Sequence, residues 1–322
     1  MRTFISGGAG FIGSHLVARL LRGGEAEQVV VYDNLSSGSL RHLDASLHDP
    51  RLNVVEGDIK HLGELTAAMR GSDLVYHLAA NPDIAKAAKQ PDIDFWEGTY
   101  LTQNVLEAMR VNGVQKLLYT SGSGVYGEHP ETAFAESYGP LFPISTYGAS
   151  KLACEALISS YAHMFGMTGR AFRFANVVGP RQTHGVGYDF VRRLRSDASQ
   201  LRILGDGSQC KAYIHVDDVL DAMFLVAADL GGAPFDVFNV ATDDYVTVTE
   251  IADIAVRESG LDASSVRYVY TGGDRGWKGD VPKVLFDVTK IKRLGWRPAR
   301  TSAQALRDSV RAMLGELGAV PA

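Results

Sequence analysis

Through the first half of the chain, short apolar runs alternate with stretches whose apolar residues recur at helical spacing. The runs are Arg2–Ser6, Val29–Tyr32, Leu52–Glu56, Leu74–Leu78 and Lys116–Thr120. Their length and their bounding turn residues predict buried strands. Between the first two, Ile12, Leu16, Leu20 and Leu21 form one apolar helix face. A second helical pattern runs from Tyr147 to about Tyr161, with Leu152, Ala156, Leu157 and Tyr161 on one side. Two further strands are expected at Thr168–Ala175 and Phe235–Val240. Strands alternating with helices predict βαβ units, hence an α/β fold with a doubly wound parallel sheet. Beyond about residue 178 the pattern loosens. Glycine- and proline-bearing breaks occur around Val178–Gly187 and Gly272–Pro282, and Tyr188–Arg195 reads as a helix. A smaller C-terminal lobe, discontinuous in sequence and closing over a cleft, is therefore expected. The division is 1–178 with a returning segment at about 213–245, against 179–212 and 246–322.

Composition changes this picture little. The 322 residues are 46% hydrophobic, 21% charged and 9% aromatic, which is ordinary globular usage. A net charge of -5 gives no electrostatic case for nucleic acid or an anionic membrane. No apolar run approaches the roughly 18 residues of a membrane span. The N-terminus reads directly as a strand instead of a signal peptide, so the cytoplasm is the expected location. Cys154 and Cys210 lack metal-ligand spacing. They read as small buried residues in a reducing compartment, and no metal is expected.

The chemistry begins immediately after the first strand. Gly7-Gly8-Ala9-Gly10-Phe11-Ile12-Gly13 leaves that strand and opens a helix. Gly7 suits the tight turn, Gly10 the close approach of a pyrophosphate, and Gly13 close helix–strand packing. The helix start then offers unpaired N–H groups and a partial positive charge to phosphates. Asp33 ends the second strand about 20 residues further on, where an acid binds the adenosine ribose hydroxyls. A carboxylate there repels a 2′-phosphate, so a Rossmann unit binding NAD, not NADP, is expected.

Tyr147-Gly148-Ala149-Ser150-Lys151 sets a phenol and an ammonium four residues apart, on one helix face. A nearby ammonium favours the phenolate, and the expectation is a phenol lowered toward neutrality as a general base.

These elements, with Gly57-Asp58-Ile59, His77-Leu78-Ala79-Ala80, Val125-Tyr126-Gly127 and Arg173-Phe174-Ala175-Asn176, resemble the extended short-chain dehydrogenase/reductase superfamily. Within it the chain is similar to the NAD-dependent epimerases and dehydratases of nucleotide sugars, the UDP-glucose 4-epimerase type above all. The likeness continues through Tyr213-Ile214-His215-Val216-Asp217-Asp218, Gly279-Asp280-Val281-Pro282 and Leu294-Gly295-Trp296. It implies cofactor contacts from Gly7, Gly10, Phe11, Ile12, Gly13, Asp33, Asn34, Asp58, Ile59, Leu78, Ala79 and Ala80. It implies Tyr147 as base and Lys151 as the residue at the nicotinamide ribose. Asn176 would meet the diphosphate, and Leu201 to Leu204, with Ile203 among them, would line the nucleobase pocket. His77 and His215 read as structural, hydrogen-bonded histidines.

The chain departs from the family pattern in several places. Three residues before Val125 the family carries a serine or threonine whose hydroxyl assists the tyrosine; here stands Gly122. Ser121 and Ser123 flank it, Ser123 being the first choice to take its role. Dehydratases of the superfamily carry an Asp-Glu pair where this chain has Ser123 and Gly124, which speaks against dehydration. Lys211 stands where an arginine precedes the Tyr213-Ile214 pair, and could still act as a point charge for phosphate. Trp277 stands where an arginine commonly precedes the Gly-Asp pair, so Arg275 is the candidate phosphate contact beside Asp280. Asparagine is also absent from Phe95-Trp96-Glu97-Gly98-Thr99. Arg192, on the expected helix, would suit a uronic acid carboxylate if it points inward; a solvated basic face is the competing reading.

The expected activity is 4-epimerisation of a UDP-linked hexose or hexuronic acid with tightly held NAD, through a 4-keto sugar. The alternatives are another nucleotide-sugar oxidoreductase and a catalytically silent NAD-sensing protein. The expected partners are a UDP-sugar and, by family likeness, a second copy of the chain; neither nucleic acid nor membrane is expected.

Overall fold

The computed structural model describes residues 1–129, 131–277, 279–318 and 320. They fall into two compact units. The first comprises Met1–Val125, Thr146–Arg173 and Met223–Phe238; the second comprises Tyr126–Ser145, Phe174–Ala222 and Asn239–Ala322. Relative to the expected boundaries, 126–145 sorts with the second unit, and the returning segment is 223–238 where about 213–245 was expected.

The first unit is built on a seven-stranded sheet. Its strands are β1 (Arg2–Ser6), β2 (Gln28–Asp33), β3 (Leu52–Glu56), β4 (Leu74–His77), β5 (Lys116–Gly122), β6 (Thr168–Phe174) and β7 (Phe235–Val240). They lie in the order β7-β6-β5-β4-β1-β2-β3. Parallel pairing joins β1 to β2 and β4, β2 to β3, and β4 to β5. This is the doubly wound order of the Rossmann fold, in which chain direction across the sheet reverses between β1 and β4. The expected strands are all present, with ends shifted by one or two residues. The helices of this unit are α1 (Phe11–Gly23), α2 (Leu62–Met69), α3 (Tyr100–Asn112) and α4 (Thr146–Phe165). Leu16, Leu20 and Leu21 of α1 are buried, as their spacing predicts. A core of Phe4, Val30, Val75, Val105, Leu117 and Ile158 joins strands to helices.

Four polar groups cross that core in a chain. Ser6 Oγ hydrogen-bonds His77 Nδ1 at 2.6 Å, His77 Nε2 hydrogen-bonds Thr102 Oγ1 at 3.0 Å, and the Thr102 hydroxyl donates to Cys154 Sγ at 3.1 Å. His77 is thus the structural histidine expected. Burial, with the charge of Lys151 as a second cause, drives its pKa down to about 3. Cys154 is fully buried and Cys210 half-buried, and both are free thiols.

The second unit is less regular. Helices α5 (Val186–Ser196), α6 (Val216–Ala228, whose last residues belong to the first unit), α7 (Val248–Glu258), α8 (Thr289–Arg293) and α9 (Ser302–Leu317) alternate with short strand pairs. Among these, Gln200–Ile203 runs parallel to Arg267–Tyr270, and Asn176–Val178 parallel to Tyr213–His215. Capping boxes start α7 (Thr247 with Glu250) and α9 (Thr301 with Gln304), satisfying their first N–H groups. Phe190, Leu194, Leu201, Ile203, Ile251 and Val310 form a separate core. Among the described residues, no helix is long and apolar enough to cross a membrane.

Because His77 resists protonation when folded, the unfolded chain binds one more proton between the ordinary histidine pKa near 6.5 and about 3. The stability it contributes is therefore present above pH ~6.5 and lost as pH falls through that window. Urea denaturation should show the wild type losing about 2 kcal/mol more than His77→Asn between pH 7 and pH 5. Equal losses in the two proteins would remove His77 from the account.

Candidate active site

The loops that leave β1 and β4 meet at the switch point of the sheet, where ligands of this fold bind. Gly7 takes φ of +75°, and a Cβ there would lie 2.7 Å from the Ala79 nitrogen. The turn after β1 therefore rests directly on the backbone of Leu78 and Ala79. A Cβ on Gly13 would lie 2.2 Å from the Gly7 carbonyl oxygen, so any side chain would push α1 off the turn. Gly10 is different. A Cβ there meets only the Gly7 oxygen, at 3.2 Å, so the rest of its surroundings are open. No side chain caps the start of α1 at Gly10, and no acid stands in its first turn. Phe11 and Ile12 follow, half-buried, with Phe11 edge-on to His15.

Asp33 is 8% exposed. One carboxylate oxygen accepts from the Ala9 N–H and the other from the Leu35 N–H, each at 2.9 Å. Each oxygen has a second acceptor position, which leaves two for neighbouring hydroxyls. Asn34 is exposed and its side-chain oxygen accepts from the Ser36 N–H at 3.1 Å, shaping the turn. Asp58 likewise accepts from the Lys60 N–H at 2.9 Å, and the buried Ile59 is held through its carbonyl by Asn104.

On α4, Tyr147 and Lys151 stand one turn apart, as their spacing requires. Lys151 is 5% exposed, and its ammonium donates to the Thr120 carbonyl at 2.7 Å. It lies 4.9 Å from the Tyr119 ring centre and 5.5 Å from that of Tyr147. Burial lowers its pKa to about 8, against the opposing pull of Cys154, Glu155 and Asp94. The expectation that Lys151 lowers the Tyr147 phenol is not met in the protein alone. Burial pushes the phenol well above its ordinary value, and the Asp94 carboxylate adds to the rise.

The turn after β5 runs alongside this pair. A Cβ on Gly122 would come no closer than 3.9 Å to the Tyr147 hydroxyl, so the position where the family carries a hydroxyl faces the phenol directly and has room for one. A Cβ on Gly124 would lie 3.3 Å from the Gly148 Cα. Ser121 does not fill the gap. Its hydroxyl donates to Glu155 at 2.6 Å inside the core, and Glu155 is clasped by Arg173 at 3.0 and 2.6 Å. Ser123 stays half-exposed at the mouth of the turn.

In the second unit the expected substrate residues are sorted unevenly. Lys211 pairs with Asp280, and Arg275 donates to the Asp280 carbonyl at 2.7 Å and pairs with Glu128 and, at 3.9 Å, Asp274, so two cations and three carboxylates share one cluster. Asn176 is exposed, with its amide donating to the Ala212 carbonyl at 3.2 Å. Leu201 and Ile203 do not line a pocket: both are fully buried in the core, and the exposed members of that segment are Arg202 and Leu204. Arg192 lies on the exposed side of α5, stacked over the Tyr188 ring at 5.7 Å, as the competing reading had it. Among the described residues, no group of three His, Cys, Asp or Glu side chains could hold a metal.

Residues 3–241 match the NAD dependent epimerase/dehydratase family. The chain belongs to that family. It is 32% identical to the UDP-glucose 4-epimerase of Mycolicibacterium smegmatis, over 96% of this chain and 97% of the relative. A crystal structure of a UDP-galactose 4-epimerase superposes with a TM-score of 0.86 at 38% identity, covering 98% of this chain and all of that one. The dTDP-glucose 4,6-dehydratase DesIV of Streptomyces venezuelae, crystallised with NAD and TYD, superposes at 0.89 with 33% identity, covering 98% and 97%.

The cofactor of this epimerase/dehydratase family member is NAD, and the residues present fit it. The open side of Gly10 and the uncapped start of α1 suit a pyrophosphate. The two spare acceptor positions of Asp33 suit a ribose diol and repel a phosphate. Asp94, Glu155 and Thr146 were not singled out in the sequence. Each matters through a partner distant along the chain, and none carries a local motif.

The two serines beside Gly122 separate by experiment. Ser123→Ala should lower kcat by about tenfold or more with folding stability unchanged. Ser121→Ala should lower the unfolding free energy by about 1 kcal/mol or more, because the Glu155 carboxylate loses a buried donor. Loss of kcat in Ser121→Ala without loss of stability would reverse the assignment.

Proposed function

We infer that the chain is an NAD-dependent 4-epimerase of a UDP-linked hexose or hexuronic acid. The observation that carries this over dehydration is the composition of the turn facing Tyr147. Elimination of water needs an acid for the departing hydroxyl and a base for the adjacent carbon. Gly122, Ser123 and Gly124 supply no carboxyl, and the two buried acids bonded to residues of α4 and the end of β5 are engaged, Glu155 by Arg173 and Ser121, Asp94 by Asn81 and Thr146. What remains is one phenol, one ammonium and room for a sugar hydroxyl.

When bound, NAD supplies the hydride acceptor and donor together with a positive charge in its oxidised form. Tyr147 takes the proton of the 4-hydroxyl as carbon 4 is oxidised to a ketone, and returns it when the ketone is reduced from the opposite face. Lys151, held by the Thr120 carbonyl, keeps a positive charge beside the phenol and offers its remaining N–H groups to the nicotinamide ribose. Ser123, half-exposed next to Gly122 in the chain, supplies the hydroxyl that Gly122 lacks. Lys211 and Arg275 serve the diphosphate by exchanging a carboxylate partner for a phosphate oxygen. Asn176 meets the same diphosphate from its exposed strand. Because oxidation and reduction cancel, the reaction consumes no external oxidant or reductant.

Purified protein incubated with UDP-glucose, UDP-glucuronate or their N-acetyl analogues, without added NAD, should yield the 4-epimer of at least one. Tyr147→Phe should lose more than about 100-fold in kcat. A 4-keto-6-deoxy product would establish dehydration instead, and stoichiometric change in nicotinamide absorbance a net oxidoreductase.

A further inference from the structure

The segment ahead of α3 holds a buried carboxylate that the account above leaves without a task. Asp94 is 2% exposed. One side-chain oxygen accepts from Asn81 Nδ2 at 2.9 Å and the other from the Thr146 hydroxyl at 2.7 Å, while its main-chain carbonyl accepts from the Ser150 hydroxyl at 2.6 Å. Thr146 and Ser150 are the residues immediately preceding Tyr147 and Lys151. We propose that Asp94 is a positioning residue for the Tyr147/Lys151 pair, clamping the residue ahead of each and placing a buried negative charge beside both.

The local backbone is shaped for this. Phe95–Thr99, directly after Asp94, forms a π-helical turn, a rare wide turn found frequently at functional sites. A Cβ on Gly98 would lie 2.4 Å from Ser150 Oγ, so glycine is what lets this turn and α4 close together. Thr99 Oγ1 meets the same Ser150 hydroxyl at 2.9 Å. Asp94, Gly98 and Thr99 thus converge on one hydroxyl, one residue from Lys151.

The charge is as specific as the clamp. Carboxylates on α4 and the elements packed against it are mostly neutralised: Glu155 by Arg173, Glu97 by Lys60 and Glu107 by Arg110. Asp83, Lys86 and Asp92 are exposed. Lys89, Lys116 and His163 are exposed, and Tyr100 and Tyr161 are half-buried. Burial keeps His77 and Tyr119 uncharged near neutrality, pushing the imidazole down and the phenol up. Asp94 is held by neutral donors. Its field acts on the phenol of Tyr147 and the ammonium of Lys151, raising the pKa of both. It keeps Lys151 protonated at the expense of a more basic tyrosine.

This assignment rests on Tyr147 and Lys151 being the reactive pair, so its test reads the phenol without turnover. In NAD-loaded enzyme, ultraviolet difference titration against Tyr147→Phe isolates the Tyr147 phenolate. Asp94→Asn should move that titration to lower pH by about one unit. Thr146→Val removes one clamp and keeps the charge, so its phenol should titrate as in the wild type while kcat falls about tenfold with KM unchanged. A phenolate titration in Asp94→Asn superimposable on the wild type, or full turnover in Thr146→Val, overturns the proposal. A shifted phenol in an enzyme that epimerises no sugar upholds it and rejects the epimerase reading alone.

Discussion

An ammonium buried against a strand-end carbonyl fixes the geometry of the reactive part of the first unit. Lys151 gives up most of its hydration and receives the Thr120 carbonyl, the face of Tyr119 and the field of nearby carboxylates in return. That exchange ties α4 to the end of β5 at the point where the strand turns through Gly122, Ser123 and Gly124. Once the bond is made, the phenol one turn earlier must face that turn. Burying an ammonium is costly, and a pKa lowered to about 8 records the cost. The cost is consistent with a group kept for chemistry, since a leucine would pack the same space more cheaply.

The nucleotide end of the same unit depends on sterics more than on charge. Gly7 and Gly13 are dictated by contacts that no side chain could survive, and those contacts hold strand, turn and helix together. A Cβ on Gly10 would meet only the Gly7 carbonyl oxygen, at 3.2 Å, a far milder conflict than at Gly7 or Gly13, and the open space on its other sides suits a ligand. Asp33 links the two ends of this subsite, since its carboxylate braces the glycine turn through Ala9 and still has acceptor positions to offer. The unpaired N–H groups and the acid therefore suit different parts of one dinucleotide without competing for it.

What could be read from the sequence was what is local. Strand runs, the α1 face, the glycine spacing and the Tyr147/Lys151 interval all follow from periodicity within a few residues. Ser121 was ambiguous because β5 is buried throughout most of its length, so no polar alternation distinguishes its two faces. Only Glu155, 34 residues away, shows which way its hydroxyl points. Asp94 was invisible for the same reason, since its partners lie at 81, 146 and 150. Leu201 and Ile203 teach the opposite lesson. Their alternation with Gln200 and Arg202 already directs them inward, and the family likeness that put them at a nucleobase overrode a local pattern that was right. The expected lowering of the Tyr147 phenol failed because helical spacing gives a separation but not an environment. At 5.5 Å from the ring and bonded elsewhere, the ammonium does not outweigh desolvation.

That imbalance bears on how a family with both epimerases and dehydratases divides its chemistry. A phenol held high by burial and by Asp94 is scarcely ionised until positive charge is brought beside it, and oxidised nicotinamide is a charge of that kind. Deprotonation and hydride departure would then be coupled: the tyrosine becomes competent when the cofactor is in place and oxidised. A 4-epimerase needs this coupling twice per cycle, in opposite directions, and one proton carrier suffices because the same hydroxyl is dismantled and rebuilt. A dehydratase must also lose water from a neighbouring carbon, which calls for further groups with their own acidities. A turn of Gly122, Ser123 and Gly124 offers space and a hydroxyl, with no second acid–base couple. The proposed 4-epimerisation is the reaction of the two whose proton balance closes on a single tyrosine.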